Sequence, residues 1–357
     1  MRPGRRVPGG GGGSTAPPMS LDAPSPPAFT AAEAQRLAAA LYGVDAVARP
    51  LPGYDDQNFL LIPAGGPARV LKISRAAEER RVLDFQNRAL DHLAGAGLPW
   101  RLPRPCPSRR GRRIESARSA GGRRHRVRLL TYVDGVPWAE APSHHPALLH
   151  AIGRLAATVD RALDGFAHPA MRRISDWDLM RFPAVERYKA AIVEPARRRI
   201  VERIGRRFAR FVAPRRRQLP AQVVHNDVNN HNVLLDDSGA VTGLIDFGDL
   251  LHTATVCEVA IAVAYFMLDA PRPLAAGGRV LRGYHAVRPL APVELEVLFD
   301  LVLARLAMSV TFSAFRHRRE PHNAYLIANR SAGWRLLEEL IELPRDDAAA
   351  QLAAARG

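Results

Sequence analysis

Residues 225–249 read HNDVNNHNVLLDDSGAVTGLIDFGD, and the fold is decided there. Val233, Leu234 and Leu235 form one short apolar run and residues 241–245 a second, each the length of a buried strand. The segment Asp236-Asp237-Ser238-Gly239 between them is turn chemistry. A hairpin centred near Gly239 predicts that position 232 pairs with position 246, so that Asn232 and Asp246 face each other at its open end. Cross-strand neighbours lie roughly 5 Å apart, close enough for both side chains to hold one cation. Asp227 stands on the leading loop. Three oxygen-bearing side chains therefore gather at the strand ends, suited to a hard metal such as Mg²⁺.

Asp and Asn are common turn residues, and an isolated DFG or HxD carries little. The ordered combination says more: HxDxxxxN, an apolar run, a turn, a second apolar run, then DFG. Its spacing is that of the catalytic loop and metal-binding Asp in the kinase signature set.

Upstream, Lys72 interrupts RVLKIS, a strand with apolar residues on both sides. A partly buried ammonium needs an anion, because desolvating it unpaired is expensive. Only Lys72 and Lys189 are lysine in a chain with 51 basic residues. Lysine here indicates a compact point charge of the kind that binds phosphate oxygens; the alternative is a lysine snorkelling from an edge strand. The helix that follows places Val82, Gln86, Ala89 and Leu93 on one stripe, so Gln86 can reach Lys72, with Glu79 as the alternative partner. The loop GYDDQNF, residues 53–59, joins two strands. Gly53 permits a tight backbone approach, and loop amides with Asn58 can cover phosphates. Neither a Walker A sequence nor GxGxxG is present.

The 357 residues are enough for two packed lobes. Residues 1–27 are Gly/Pro-rich and cannot build a core, and Met19 is a candidate start. Helix is expected over 30–41, with Thr30 as N-cap. Strands are expected over 47–51, 59–62 and 68–73, a helix over 75–93, and another strand in RHRVRLLTYVDG. After residue 142 helices dominate, over 145–163, 182–212, 255–268, 292–315 and 324–340. The domain reading is a tail over 1–27, a β-rich N-lobe over 28–133, a helical C-lobe over 134–342 and a tail over 343–357.

Two cysteines give no disulfide framework, which points to a reducing cytoplasm. The longest apolar run, residues 259–268, is too short to cross a bilayer, so no membrane partner is expected. The net charge of +16 is spread as arginine along the chain. Its densest cluster, 197–217, lies on a helical pattern with Ile200, Ile204, Phe208 and Phe211 as the apolar stripe. That describes a solvated helix face, and no aromatic-interleaved basic motif argues for nucleic acid.

HNDVNNHNVLL…GLIDFGD resembles the aminoglycoside phosphotransferase family, small-molecule kinases with a protein-kinase-like two-lobed α+β fold. Within it, GYDDQNF, VLKIS, FQNRALDHL, GLIDFGDLLHTATVCEVAIAVAYFML and LAMSVTFSAF…PHNAYL…GW are most similar to the hydroxylysine kinases and to kinase domains fused to class III aminotransferases. The likeness covers about residues 30–342. It implies Asp227 as the catalytic aspartate, Lys72 as the phosphate-binding lysine, Asn232 and Asp246 as Mg²⁺ ligands, and residues 130–132, ending at Tyr132, as the nucleobase hinge. It implies a kinase using ATP or GTP (GTP if the donor follows the hydroxylysine kinases) on a hydroxyl of an amino alcohol or hydroxy amino acid, 5-hydroxylysine first. Aminoglycoside, homoserine or choline/ethanolamine kinases, and a non-catalytic nucleotide-binding module, are the alternatives. Two departures stand out: Gln86 where many relatives have glutamate, and Asn226 where many have the glycine of HGD. Asp249 and Glu258 are candidate contacts for a substrate ammonium; their structural alternatives are a helix cap and an arginine anchor.

Overall fold

The computed structural model describes residues 27–53, 55–141, 145–322 and 327–354. The expected tail over 1–27, with Met19, lies outside the described residues except at its last position, as do Tyr54 and the expected start of the last helix at 324.

Thr30 accepts a hydrogen bond from Glu33 N while Glu33 receives the Thr30 amide, a capping box that starts α1 (Ala31–Leu37). The helix continues through a π turn to Tyr42 and ends at Gly43, φ 69°. Next come β1 (Ala46–Leu51), β2 (Gln57–Pro63), β3 (Arg69–Ile73), α2 (Arg80–Gly95), β4 (Pro105–Cys106), β5 (Glu115–Arg118) and β6 (Arg124–Thr131). The strands form one antiparallel sheet in the order β1-β2-β3-β6-β4, with β5 also on β6. Phe59, Leu61, Leu71 and Ile73 are fully buried on the face that α1 covers, each contributing about 1.5–3 kcal/mol.

The helical part holds β7 (Val136–Pro137), α3 (Ala147–Ala162), α4 (Pro195–Arg207), β8 (Ala221–Val224), β9 (Val233–Leu235), β10 (Val241–Leu244), β11 (Leu251–Ala254), α5 (Val256–Phe266), α6 (Pro273–Val287), α7 (Pro292–His317), α8 (Arg330–Glu342) and α9 (Arg345–Ala354). The single helix expected over 182–212 is broken by its prolines. Pro183 lies in a 3₁₀ stretch, Leu179–Ala191, and Pro195 opens α4 at the first helical position, where its missing N–H is harmless. The expected tail after 342 is instead α9, which buries Ala348 and Leu352.

No helix was expected at α6, which carries Gly277, Gly278 and Gly283, poor helix formers. Packing explains them. A Cβ on Gly283 would stand 2.0 Å from His150 O, and one on Gly153 of α3 would stand 2.0 Å from Val280 O. The two helices touch backbone to backbone, which only glycine allows. Helix α7 is long and apolar enough to span a bilayer, but 89% of that window is buried inside the fold.

The hairpin forms, with one correction to its register. Leu235 pairs Val241, but a bulge shifts the ladder so that Leu234 pairs Gly243 and Val233 pairs Leu244. Ile245 N then donates to Asn232 O at 3.0 Å, so position 232 faces 245 and not 246. The bulge inserts one residue on the second strand. It leaves Asp246 just beyond the ladder with left-handed backbone, φ 60° and ψ 74°.

Candidate active site

The site is an open cleft of about 760 Å³, within the range that holds small ligands. Lys72 enters from β3, and its Nζ donates to Asp246 Oδ1 at 2.9 Å. The lysine side chain is 10% exposed and the carboxylate 47%. The lysine charge holds the Asp246 carboxyl below its usual range against the opposing effect of burial. Neither expected lysine partner is used: Gln86 Nε2 donates to Gly248 O at 2.9 Å, and Glu79 is exposed and paired with Arg81. Gln86 thus ties α2 to the turn after Asp246, a neutral contact where a helix-to-lysine ion pair would otherwise stand.

Asp227 is clasped from two sides. Asn232 Nδ2 donates to its Oδ2 at 2.7 Å and Arg305 Nη2 to its Oδ1 at 2.8 Å. Burial, helped by the nearby Asp249 and Asp246 charges and opposed by Arg305, pushes the Asp227 carboxyl up to about 8. His225 stands behind the loop, fully buried. Its Nδ1 accepts from Asp227 N at 3.2 Å, which puts the proton on Nε2 facing Ile245 O at 3.1 Å. Burial lowers this imidazole to about 4, so it is neutral and acts as a strut.

Asn226 sits at φ 67°, a conformation that asparagine tolerates better than most non-glycine residues. Its N–H donates to Glu258 Oε2 at 2.6 Å and its Nδ2 to Trp177 O at 3.2 Å. The structure places Glu258 away from the expected substrate contact: it is fully buried, absent from the cleft wall, and grips the loop from behind. Burial raises it to about 7.

Asp249 does line the cleft, in the short 3₁₀ turn Phe247–Asp249 that Asp246 caps. It does not cap the next helix, whose N-cap is Thr255. Its neighbour is Arg173, at 3.5 Å. Tyr132 lines the other end, with its own N–H taken by Ala68 O at 3.3 Å. In the loop before β2, a Cβ on Gly53 would stand 2.4 Å from Asp56 O, and Asn58 Nδ2 donates to Pro52 O at 3.3 Å. Both residues thus shape the loop; Asn58 also pairs across the sheet with Lys72.

Several cleft residues had no sequence expectation. Arg305 is 2% exposed and sandwiched between Trp177 and Tyr265, 4.6 and 5.3 Å from the ring centroids. A charge inside the apolar run of α7 was its available signal. Arg128, 3% exposed, stands in register with Lys72 on the next strand and faces the cleft as a second cation. Asp55 joins Arg75 of the N-lobe to Arg316 of α7, closing one side.

Among the described residues no group of three His, Cys, Asp or Glu side chains forms a metal cage. The donors present are Asp246, half exposed to the cleft, and Asn232, whose Nδ2 is committed to Asp227 and whose Oδ1 remains. One carboxylate and one amide oxygen fit Mg²⁺ held jointly with nucleotide phosphates and water.

A model of the phosphotransferase enzyme family (APH) matches residues 47–290. The chain belongs to that family. It is 34% identical to hydroxylysine kinase of Mus musculus over 343 residues, covering 89% of this chain and 90% of the relative. It is 29% identical to a homoserine kinase of Agrobacterium fabrum, covering 69% and 72%. Among solved structures, the amicoumacin kinase hAmiN in complex with AMP-PNP, Ca²⁺ and Ami aligns at TM-score 0.65 and 15% identity over 88% of this chain and 94% of the other. A microcompartment-associated aminopropanol kinase aligns at 0.62 and 17%, over 89% and 98%. The fold is thus the two-lobed, protein-kinase-like one, and this phosphotransferase is a small-molecule kinase acting on an alcohol group.

Proposed function

We propose that the protein transfers the γ-phosphoryl group of ATP or GTP to a hydroxyl of a hydroxy amino acid or amino alcohol, with 5-hydroxylysine as the first candidate. The 34% identity with a hydroxylysine kinase over nine-tenths of both chains carries the choice of acceptor. Asp227 supports the chemistry: it is a carboxylate at the cleft wall with both oxygens oriented by neighbours. It holds the acceptor O–H and takes its proton as the oxygen–phosphorus bond forms and the bond to the leaving diphosphate breaks. Lys72 and Arg128 present positive charge from the sheet to the phosphates. Asn232 and Asp246 would hold Mg²⁺, which supplies neutralisation of the phosphate charge. Phosphoryl transfer passes through a loose transition state, so positioning and charge account for most of the rate.

A homoserine kinase is the second reading, favoured by the bacterial homoserine kinase relative. A cytoplasmic location belongs to the same proposal, resting on the unpaired Cys106 and Cys257. Coupled nucleotide turnover with ATP and GTP against hydroxylysine, homoserine, ethanolamine, choline and kanamycin tests it. Hydroxylysine is expected to give the highest kcat/KM. Absence of turnover with every acceptor overturns the kinase reading and leaves a nucleotide-binding module.

A further inference from the structure

The acceptor end of the cleft carries its charges in adjacent opposite pairs. Arg305 is bound to Asp227 at 2.8 Å. Farther out, Arg173 Nη2 stands 3.5 Å from Asp249 Oδ1, with both side chains lining the cleft and 16% and 29% exposed. At 3.5 Å this second contact is long for a charge-assisted hydrogen bond, which closes to about 2.7–2.9 Å when satisfied. Arg173 has a second anchor on the same turn, because its Nη1 donates to Gly248 O at 3.0 Å. The Asp249 backbone is fixed in the turn that Asp246 caps. A cation and an anion are therefore held side by side on that turn, lining the same cleft as Asp227.

With metal and nucleotide bound, which favours both carboxylates ionised, the two pairs sum to zero charge: two guanidiniums against two carboxylates. A polycationic acceptor such as an aminoglycoside is matched by a surplus of carboxylates, and a simple amino alcohol by one carboxylate alone. A guanidinium beside the latter repels its ammonium. A group that bears one positive and one negative charge on the same carbon matches an adjacent pair in both signs. That group is the head of an α-amino acid.

We infer that Arg173 and Asp249 form a clamp for the zwitterionic head of the acceptor, Arg173 receiving the carboxylate and Asp249 the ammonium, so that the enzyme requires an α-amino acid and discriminates against the corresponding decarboxylated amino alcohol. The inference rests on the kinase reading above and narrows it. Arg305 is too enclosed to serve instead: its Nε and Nη1 are buried, and its Nη2 is spent on Asp227. The clamp sets binding of the acceptor and leaves the transferred group to Lys72, Asp227 and the metal ligands.

Two matched pairs of acceptors test it: 5-hydroxylysine against 1,5-diamino-2-pentanol, and homoserine against 3-amino-1-propanol. Each pair differs only by the α-carboxylate. In whichever pair is turned over, the carboxylated member is expected to have a kcat/KM about 10- to 100-fold higher, the worth of a charge-assisted contact. Arg173→Met should erase most of that preference by raising KM for the amino acid, with the nucleotide KM unchanged. Arg173→Lys, which keeps the charge, should restore part of it. Equal use of both members by the unaltered enzyme overturns the clamp while leaving the kinase standing; no turnover of any acceptor sinks the kinase reading and the clamp with it. Equal losses with both members of a pair and with nucleotide in Arg173→Met would show that Arg173 only braces the turn at Gly248, and that too overturns the inference.

Discussion

Lys72 and Asp246 are 174 positions apart in the chain and 2.9 Å apart across the cleft. The lysine is nearly enclosed and the carboxylate is half open, so the pair is a closed contact on the sheet side and an accessible one on the side where phosphates and metal would enter. Asp246→Ala removes the carboxylate donor and leaves the ammonium unpaired. Turnover is expected to fall about 10³-fold or more, since a catalytic metal supplies several kcal/mol of charge stabilisation. Stability should fall by only about 1 kcal/mol, because water already reaches half of the carboxylate. Steady-state kinetics and a thermal scan on the same preparation separate the two effects.

Arg305 and Asp227 give the opposite balance. Here the guanidinium is 2% exposed and the carboxylate 17%, and removing one partner strands the other. Arg305→Met should lower stability by about 3 kcal/mol. Asp227→Asn, which keeps the shape and the Asn232 contact, should reduce kcat by about 10²–10⁴-fold with nucleotide binding retained. Combining the two changes removes both charges, so the double variant is expected to be more stable than the sum of the single losses. Denaturant unfolding of the four proteins at pH 9, where Asp227 is ionised in the folded state, measures that coupling, and strict additivity would show the pair to be energetically idle.

Much of this site is legible in the sequence because its chemistry is local. Asp227, Asn232 and Asp246 are brought together by a single hairpin, and turn residues with two apolar runs are enough to foresee it. The register was misjudged because the turn closes about position 238 and not 239, as the pairing of Leu235 with Val241 shows; the bulge at residues 241–243 makes up one of those two places, which leaves Asn232 opposite Ile245. Lys72 was conspicuous as a lysine among arginines, but its partner lies on another lobe, and helix periodicity offered only Gln86 and Glu79. Glu258 was read as a substrate contact because an acid near a catalytic loop suggests one; only burial shows that it faces the loop's back. Arg305 showed itself in the sequence only as a charge inside the apolar run of α7, and Arg173 reaches the cleft from the segment after α3, whose placement depends on tertiary packing that no short-range pattern reports.

Asn226 supplies a test of backbone conformation separate from chemistry. Its φ of 67° is strained for most residues and natural for glycine. Asn226→Gly relieves that strain and gives up the Nδ2 contact to Trp177 O, so stability should change by less than about 1 kcal/mol and activity should persist. Asn226→Val places a β-branched side chain in the left-handed region and should destabilise by about 1–3 kcal/mol, displacing Asp227 and lowering kcat. Comparable behaviour of the two variants in unfolding and kinetics would mean that the loop does not depend on this dihedral.

The carboxylates of the cleft predict how binding and stability follow pH. Asp227 is raised to about 8 and Asp249 to about 6, in both cases chiefly by burial, whereas Lys72 keeps Asp246 ionised. At pH 7, without ligands, the folded protein therefore holds a proton on Asp227 that the unfolded chain has lost. The folded state binds more protons, so this group's stabilising contribution is complete below the ordinary carboxylate range and is lost as pH rises towards about 8. Urea midpoints of the ligand-free protein should decline between pH 6 and 8.5, less steeply in Asp227→Asn. Divalent cation and nucleotide favour the ionised carboxylates, so binding at pH 7 should expel protons. Calorimetry of Mg²⁺–nucleotide binding in buffers of different ionisation enthalpy should show that release, with Asp227 as its main source. It should fade by pH 9, where Asp227 is already ionised, and shrink in Asp227→Asn. A binding enthalpy independent of buffer at pH 7 would show that Asp227 is ionised before the nucleotide arrives.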